Sequence, residues 1–177
     1  MTTAVGETFA WDSCASPIGE VAFALSGRGV VAITFLADTP RGSLEHELPG
    51  SPRLVRDPQA ARGLRAELEA YFAGELFDFV TPADLRGTPF QESVWRKLLA
   101  IPYGETTTYG ALARELGKPG ASRAVGLANN RNRIGILVPC HRVVGANGAL
   151  VGYGGGLDRK RYLLDLERRR GAKGLFG

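Results

Sequence analysis

The hydrophobic residues of this chain follow two different periods, and the change from one to the other limits the folds open to it. Between residues 8 and 36, apolar and polar residues alternate over the short runs TFAWDSC, EVAFALS and VVAITFL. Alternation is typical of strands with one buried face. The intervening segments SPIG and GRG predict tight turns between these strands. We therefore expect a small antiparallel sheet near the start of the chain.

Residues 38–56 are rich in Pro, Gly and charged residues and are predicted as a loop. After this loop, helical spacing of the apolar residues replaces the alternation. Asp57 and Pro58 resemble an N-cap followed by proline at the first helical position. Apolar residues then recur at helical spacing up to Gly74. We expect one amphipathic helix here, packed on the sheet.

The segment FDFVTPADLRG, residues 77–87, has proline, glycine and no helical period. It is the best candidate for a linker, and it divides the chain into predicted domains at 1–86 and 87–177. A sheet with one helix followed by a mostly helical half indicates the α+β class.

Helices dominate the second half. Thr88-Pro89-Phe90-Gln91 forms a capping-box pattern, and an apolar face follows until Ile101-Pro102. Thr108 is positioned to cap a second helix, Gly117 to Gly120 breaks it, and a third is expected over 121–130. Two helices joined by a short glycine-containing turn predict a helix-turn-helix.

The third of these helices, ASRAVGLANN, consists of small residues with one protruding arginine, Arg123. Small side chains allow close approach to another surface, but they are also common in tightly packed cores.

The charge pattern of the chain also has two interpretations. The net charge is +4, and basic residues are in excess over 118–170. This excess predicts a phosphate-facing surface, or else a solvated helix face.

Composition excludes some classes of protein. No apolar run approaches the ~18 residues of a membrane span, and no apolar stretch follows Met1, so we expect a soluble intracellular protein without a secretory signal. The two cysteines, Cys14 and Cys140, with His46 and His141 cannot supply a disulfide framework or a local zinc site. We predict no metal and no other cofactor.

The sequence PCHR interrupts an expected apolar strand from Ile134 to Val144 and places Cys140 beside His141. A thiol with a pKa of about 8.5 needs a base or a positive charge to become a nucleophile at neutral pH. Neighbouring strand residues point to opposite faces, so His141 reaches Cys140 only through a chain bend or a water molecule. Glu167 is an acid that could orient the imidazole. The alternative is an inert buried cysteine.

The glycine-rich stretch GYGGGLDRKRYLLDLE lacks both the GK[ST] ending and the G-x-G-x-x-G spacing of nucleotide-binding loops. Its glycines fit a close approach to a planar ligand or a flexible turn.

Four stretches cover nearly all of residues 87–167: GTPFQESVWRKLLAIPYGETTTYGALA, SRAVGLANNRN, ILVPCHRVVG and GYGGGLDRKRYLLDLE. In them the chain closely resembles the O6-alkylguanine-DNA alkyltransferases, or methylated-DNA–protein-cysteine methyltransferases, in their stand-alone bacterial form. The first half matches more loosely, through SPIG and LEAYFAGEL. The resemblance implies a ribonuclease-H-like first domain and a helical second domain with a winged-helix-like helix-turn-helix.

The resemblance also implies a function. The protein is expected to transfer the alkyl group from O6-alkylguanine, and from O4-alkylthymine, in double-stranded DNA to Cys140 in one irreversible turnover, after the base is flipped out. His141 then acts on the thiol through a water molecule, Glu167 orients His141, Asn132 is a hinge, and Tyr109 donates to guanine N3. A monomer that clusters on DNA in the bacterial cytoplasm, at the nucleoid, is expected.

Further positions carry over one by one. Arg123 matches the arginine that replaces the flipped nucleotide in the base stack. The expected DNA contacts also include Ser122, Ala124, Ala128, Asn130 and Tyr109. The substrate pocket is expected to comprise the Val143 carbonyl, Tyr153, Gly154 and Lys160.

The chain departs from the family pattern at Arg133, where proline is frequent, and it lacks the zinc ligands that some relatives carry in the first domain. Two other functions remain as alternatives. Cysteine-free relatives bind lesions without repairing them, but this chain retains Cys140. A Cys-His-Glu hydrolase would need an oxyanion pocket and a substrate cleft.

Overall fold

The computed structural model describes residues 6–36 and 44–174, with side chains up to residue 171. It divides into two compact units, the first ending at Arg86 and the second beginning at Gly87. Among the described helices, none has both the length and the apolar character that a membrane span requires.

The first unit is organised around a sheet that begins with β1 (Thr8–Cys14), β2 (Val21–Ser26) and β3 (Gly29–Phe35). These strands pair in antiparallel order through tight turns, as the alternating pattern predicted. Their inward residues form a cluster that includes Phe9, Ala22, Ala24 and Val31. The predicted hairpins are confirmed.

The predicted loop at 38–56 is only partly a loop. Residues 38–43 lie outside the described residues, but α1 (Leu44–Glu47) and β4 (Arg53–Arg56) occupy much of the rest. β4 pairs with β1 in parallel and extends the sheet to the order β3-β2-β1-β4. A four-residue, mostly exposed edge strand has no periodicity to recognise, because its hydrogen bonds come from a neighbour that is distant in sequence.

The helix after the sheet starts later than predicted. α2 (Arg62–Phe72) packs against β1 and buries Leu64 and Leu68, but its N-cap residue makes no side-chain cap. Asp57 instead accepts the Ala60 amide at 3.0 Å and closes a turn before the helix. The predicted N-cap at Asp57 is therefore wrong, because the aspartate hydrogen-bonds within a turn before the helix.

The predicted linker at 77–87 is hydrogen-bonded to the sheet through Pro82 and Asp84. The Val30 amide donates to the Pro82 carbonyl at 2.9 Å, and the Asp84 amide donates to the Val30 carbonyl at 2.8 Å. This contact requires glycine at position 29, where φ is +148° and a Cβ atom would lie 2.2 Å from the Pro82 oxygen. The segment is therefore part of the first unit and not a free tether.

The second unit begins with α3 (Pro89–Leu99), whose capping box between Thr88 and Gln91 is present in full. α4 (Tyr109–Glu115) is capped by the Thr108 hydroxyl, and α5 (Ser122–Asn130) follows after the glycine break. α5 packs against both α3 and α4. The predicted helix-turn-helix is therefore formed by α4 and α5.

The expected strand over residues 134–144 is wrong for most of its length. Only β6 (Val143–Val144) is extended, pairing in parallel with β5 (Thr107–Thr108). Residues before it form turns, with Ile136 at a φ of 72°. A continuous apolar run does not distinguish a strand from a buried irregular segment. The last element of the described residues is α6 (Leu157–Gly174), which contacts the turn at Cys140.

Candidate active site

Cys140 lies at the start of a short 3-10 helix, Cys140–Arg142, directly after Pro139. The Cys140 amide donates to the Val138 carbonyl at 2.8 Å, and the Arg142 amide donates to the Pro139 carbonyl at 3.0 Å. The chain bends at this point, so Cys140 and His141 do not point to opposite faces of a strand. Only 6% of Cys140 is exposed.

His141 and Glu167 form a buried pair. The His141 Nε2 atom lies 2.7 Å from Glu167 Oε1, and both residues are fully buried. The second residue after the cysteine completes the arrangement: Arg142 Nε donates to Glu167 Oε2 and Nη2 to Oε1, each at 2.9 Å. Glu167 therefore orients His141, while Arg142 binds the same carboxylate through two hydrogen bonds.

Electrostatics keep the Glu167 carboxylate ionised. Burial by itself would raise the pKa of Glu167, but the hydrogen bonds and charges of His141 and Arg142 hold it well below its usual range. Burial lowers the pKa of His141 more than Glu167 raises it. The imidazole is thus neutral at neutral pH.

The tautomer of His141 follows from this pairing. A carboxylate only accepts hydrogen bonds, so Nε2 carries the proton and Nδ1 carries the lone pair. Among the described residues, nothing hydrogen-bonds Nδ1, which is buried. His141 therefore has one basic nitrogen available for a proton.

The resting thiol of Cys140 is neutral. Burial raises the pKa of Cys140, whereas a hydrogen bond with the Asn132 side chain and the charge of Lys160 act in the opposite direction. Asn132 is itself held firmly: its Nδ2 donates to the Val138 carbonyl at 2.9 Å, and its Oδ1 accepts the Ile134 amide at 3.0 Å. The predicted hinge residue thus ties the segment before Cys140 to the end of α5.

Lys160 is fully buried, and its ammonium group donates to the carbonyls of Val143 at 2.6 Å, Val151 at 2.8 Å and Gly152 at 3.2 Å. These acceptors match the three protons of an ammonium group. Lys160 therefore fastens the glycine-rich loop to β6. It was predicted as a pocket residue, and its position indicates that it shapes the pocket through the backbone.

The other residues predicted for the pocket are Val143, Tyr153 and Gly154. The Val143 carbonyl keeps a second lone pair beyond its bond to Lys160. Burial raises the pKa of Tyr153 well above its usual range, with smaller contributions from Cys140 when its thiol is ionised and from Glu167, so the phenol stays protonated. Gly154 is exposed, and no atom lies within 4 Å of the position that a Cβ would occupy.

Tyr109 lies between α5 and the glycine-rich loop. Its hydroxyl donates to the Val151 carbonyl at 3.1 Å, and a Cβ at Gly126 would lie 3.7 Å from its ring. Burial and the charge of Cys140 raise the pKa of Tyr109, while a hydrogen bond with the Asn129 side chain lowers it. The small residue at Gly126 is what lets the phenol lie against the helix.

One face of α5 is open to solvent. Arg123, Ala124 and Asn130 are exposed and Ser122 is half-buried. Leu127 belongs to the same face and is 58% exposed. Ala128 corrects the predicted DNA-contact set: it is buried, and its carbonyl accepts the Trp95 indole at 2.8 Å. The buried face of α5 agrees with the interpretation of its small residues as core packing, and the approach of the exposed face to another surface stays a prediction.

Some site residues were missed from the sequence. The sequence gives no sign that Arg142 binds Glu167 and, through Nη1, the Ile101 carbonyl at 2.7 Å. Asn129 and the Gly104 amide, which donates to Glu167 Oε2 at 3.3 Å, carry no local pattern that would have marked them. Within the part of the chain that the structure describes, no group of three or more His, Cys, Asp and Glu side chains could hold a metal ion.

Comparison with known proteins agrees with this geometry. The family model for the 6-O-methylguanine DNA methyltransferase DNA binding domain matches residues 89–169, and the model for the ribonuclease-like domain of the same proteins matches residues 10–85. The methylated-DNA–protein-cysteine methyltransferase of Mycobacterium tuberculosis is 52% identical over 155 residues, covering 88% of this chain and 90% of the relative. This chain belongs to the methylated-DNA–protein-cysteine methyltransferase family.

Further relatives and solved structures support this assignment. The methyltransferase of Methanosarcina acetivorans is 51% identical, over 86% of this chain and 94% of the relative. The crystal structure of the M. tuberculosis O6-methylguanine methyltransferase matches with a TM-score of 0.78 and 50% identity, over 92% and 93% of the two chains. The M. tuberculosis protein in complex with DNA matches with a TM-score of 0.80 and 50% identity, over 91% and 94%. The predicted α+β fold and family are confirmed.

Proposed function

We propose that this methyltransferase removes the alkyl group from O6-alkylguanine in double-stranded DNA, and from O4-alkylthymine, by transferring it once and irreversibly to Cys140. The observation that carries the proposal is the buried unit of Cys140, His141 and Glu167, in which one imidazole nitrogen is bound to the carboxylate and the other is a free base. The family model over residues 89–169 supports DNA as the partner.

The chemistry follows from the protonation states. His141 Nδ1 removes the thiol proton through a water molecule, and the imidazolium that forms is stabilised by Glu167. The Cys140 sulfur then attacks the alkyl carbon, the S–C bond forms, and the C–O6 bond breaks with its electron pair going to the purine. The purine gains a proton, so the thiol proton is balanced by one on guanine. No reaction in the site cleaves the resulting thioether, which makes the transfer a single turnover.

The remaining site residues bind and activate the base. On binding of the base, the Tyr109 hydroxyl turns its one proton from the Val151 carbonyl to guanine N3, which improves the purine as a leaving group. The Val143 carbonyl accepts from the guanine amino group. The Gly154 amide faces O6 and Tyr153 lines the pocket. Asn132 holds the segment before Cys140 in place, and Lys160 supports both Val143 and the loop through its hydrogen bonds.

DNA recognition is assigned to the exposed face of α5. A thiol cannot reach a base inside a duplex, so the nucleotide must be flipped out at a cost of a few kcal/mol, and an inserted side chain offsets part of the lost stacking. Arg123 is the exposed side chain suited to this insertion, with Ser122, Ala124 and Asn130 alongside it. We further propose that the protein acts as a monomer that clusters on DNA, in the bacterial cytoplasm and at the nucleoid.

A mass measurement tests the proposal. Incubation with a duplex containing O6-methylguanine should add one methyl group per protein, located on Cys140 by peptide mapping. Cys140→Ser should add none, and Cys14→Ser, which changes the other buried cysteine, should behave as the wild type. Methyl release with turnover, or methylation at Cys14, would overturn the assignment. A hydrolase would instead turn over an ester substrate without lasting modification of Cys140.

A further inference from the structure

Arg142 is a buried cation inside the reactive site, and the steps above give it no part in the chemistry. It is 7% exposed, while His141 and Glu167 are fully buried. Its Nη1 donates to the Ile101 carbonyl at 2.7 Å, and the centre of its guanidinium lies 5.7 Å from the centre of the Tyr103 ring. These contacts hold the guanidinium beside the Glu167 carboxylate.

Arg142 and His141 use the same carboxylate oxygen. Glu167 Oε1 accepts from Arg142 Nη2 at 2.9 Å and from His141 Nε2 at 2.7 Å. The guanidinium nitrogen and the imidazole nitrogen are thus separated by no more than the sum of these two distances. Two positive charges this close repel each other strongly in a buried site, because little solvent screens them.

The charges of this buried group balance with one cation only. Glu167 carries one negative charge, and Arg142 supplies one positive charge through two hydrogen bonds. A buried charge without a partner is costly, so a second cation at His141 would leave one positive charge unbalanced. The pKa of His141 agrees with this count, since burial lowers it most and the charges of Arg142 and Lys160 lower it further.

The other ionisable groups around the pair leave this balance unchanged. Burial raises the pKa of Tyr103 to about 12 and that of Tyr153 well above its usual range, so both phenols stay neutral. The Cys140 thiol is neutral at rest, and Arg170 on α6 is exposed to solvent. Lys160 is a cation, but it donates to three backbone carbonyls.

We propose that Arg142 is a positioning residue for alkyl transfer that acts through Glu167: it occupies the carboxylate with a permanent charge and so keeps His141 an unprotonated base until the thiol proton arrives. A guanidinium suits this task because it stays charged and matches both carboxylate oxygens. Without Arg142, the buried carboxylate would take its cation from His141, and the base would already be protonated. The inference rests on the assignment of His141 as the base in the proposed function.

A titration of the imidazole by NMR tests this inference without any reaction. The chain has two histidines, so ¹³C labelling of the imidazoles gives two signals, and His46→Gln assigns them. In Arg142→Gln, we expect the midpoint of the His141 signal to lie about one pH unit or more above that of the wild type. Arg142→Lys restores a cation and should return the midpoint to within about half a pH unit of the wild type. Arg168→Gln, which removes an exposed arginine of α6, should leave it unchanged.

A compensated variant separates charge balance from damage to the fold. The double variant Arg142→Gln, Glu167→Gln removes both charges, so His141 should again be neutral above pH 6.5, as in the wild type.

Urea unfolding of Arg142→Gln gives a second readout of the same balance. The pKa of His141 in the folded variant should lie above its ordinary value of 6.5. The stability from a charged His141 paired with Glu167 is then present below pH 6.5 and lost as pH rises through the folded-state value. The urea midpoint of this variant should therefore fall as pH rises above 6.5, where that of the wild type stays nearly constant.

Rates of Cys140 benzylation connect the titration with the chemistry. Free O6-benzylguanine serves as the substrate because it needs no DNA contact. The rate of Arg142→Gln should fall about tenfold per pH unit below its raised His141 midpoint, because only the unprotonated imidazole acts as the base. The wild-type rate should stay constant down to pH 6.5.

The outcomes distinguish this inference from the proposed function. A His141 midpoint in Arg142→Gln at or below the wild-type value would overturn the inference, and so would a lysine variant that titrates like the glutamine variant. A wild type that accepts no benzyl group on Cys140 would contradict the proposed function, whatever the titration shows. A midpoint that moves while the rate profile does not would remove the role of His141 as the base and the inference with it.

Discussion

Burial sets the resting charge of each reactive residue in the site. The Cys140 thiol and the His141 imidazole are both neutral because burial disfavours their charged forms, whereas Glu167 keeps its charge because Arg142 and His141 bind it. A neutral thiol is a poor target for oxidants and stray electrophiles. In the mechanism that we propose, the nucleophile therefore forms only when His141 takes the proton.

The directions of these pKa shifts predict how the rate of alkyl transfer depends on pH. The pKa of His141 lies below its ordinary value of 6.5 and that of Cys140 above its ordinary value of 9.0. Between pH 6.5 and pH 9, the base is unprotonated and the thiol protonated, so the rate of Cys140 benzylation by O6-benzylguanine should be constant. It should fall only below this range, where His141 becomes charged.

Removing the base supplies the control for this prediction. In His141→Asn no neighbouring base removes the thiol proton, so the thiolate arises only by direct ionisation of Cys140. The rate of benzylation should then rise about tenfold per pH unit between pH 6.5 and pH 9. A wild type that shows this slope would mean that His141 does not act as the base.

At the scale of single elements, the two faces of α5 differ in exposure, and the recognition that we propose belongs to the exposed one. Arg123 and Leu127 are exposed, while Val125, Ala128 and Asn129 are buried. Small residues occur on both faces: inside, Gly126 leaves room for the Tyr109 ring, and outside, they fit the approach to a DNA groove that we propose.

Arg123→Ala should therefore separate DNA repair from chemistry. We expect the rate with an O6-methylguanine duplex to fall by about 10-fold or more, since the flipped state loses the side chain that replaces the base. The rate with free O6-benzylguanine should stay within about twofold of the wild type. Arg96→Ala, which removes an exposed arginine from α3, should change neither rate by more than about twofold. Equal losses with both substrates would contradict the role of Arg123.

The turn before β5 positions the carboxylate of the site. Gly104 has a φ of +80°, its amide donates to Glu167 Oε2, and a Cβ there would lie 3.3 Å from the Glu167 carbonyl oxygen. Gly104→Ala should destabilise the protein by about 2 kcal/mol and slow transfer, because the turn must move away from Glu167.

Gly117 offers a matched control for this substitution. Its φ of +71° imposes similar backbone strain, but nothing lies within 4 Å of the Cβ position. Gly117→Ala should cost about 1 kcal/mol in urea unfolding and leave the transfer rate unchanged. Equal stability losses and equal rates for the two variants would show that the contact with Glu167 is unimportant.

For the whole molecule, the buried carboxylate links function to acid stability. A pKa of Glu167 held below its ordinary value of 4.5 contributes stability that is present above pH 4.5 and lost as pH falls through the folded-state value. His141, whose pKa is lowered from 6.5, acts in the same direction, since the folded state resists protonation of its imidazole. Stability should therefore decrease steadily below pH 6.5.

Glu167→Gln should reduce the free energy of unfolding by about 3 kcal/mol at pH 7, because it leaves the buried Arg142 without its counter-charge. The urea midpoint of Glu167→Gln should also depend less on pH than that of the wild type. The difference between the two midpoints should therefore become smaller as the pH falls. Asp165→Asn on the same helix removes an exposed pair with Arg168 and should cost less than about 1 kcal/mol. Parallel curves for wild type and Glu167→Gln would contradict the linkage.

Local signals accounted for the parts of the fold that depend on neighbours in sequence. Alternation and tight turns predicted β1 to β3, and the hydroxyls of Thr88 and Thr108 predicted the starts of α3 and α4. The same signals misplaced the start of α2, where Asp57 caps a turn. They also missed β4 and most of the irregular segment before Cys140, whose conformations are imposed by partners elsewhere in the chain.

The sequence by itself determined the two kinds of domain, the helix-turn-helix, the family, and the proximity of Cys140 to a histidine. Only the tertiary structure decided which groups share a buried space: Arg142 with Glu167, Lys160 with three carbonyls, and Asn129 with the nucleophile. Hydrophobic period and capping act over a few residues and can be read along the chain. A buried hydrogen bond joins residues far apart in sequence, and its strength comes from exclusion of water by everything packed around it.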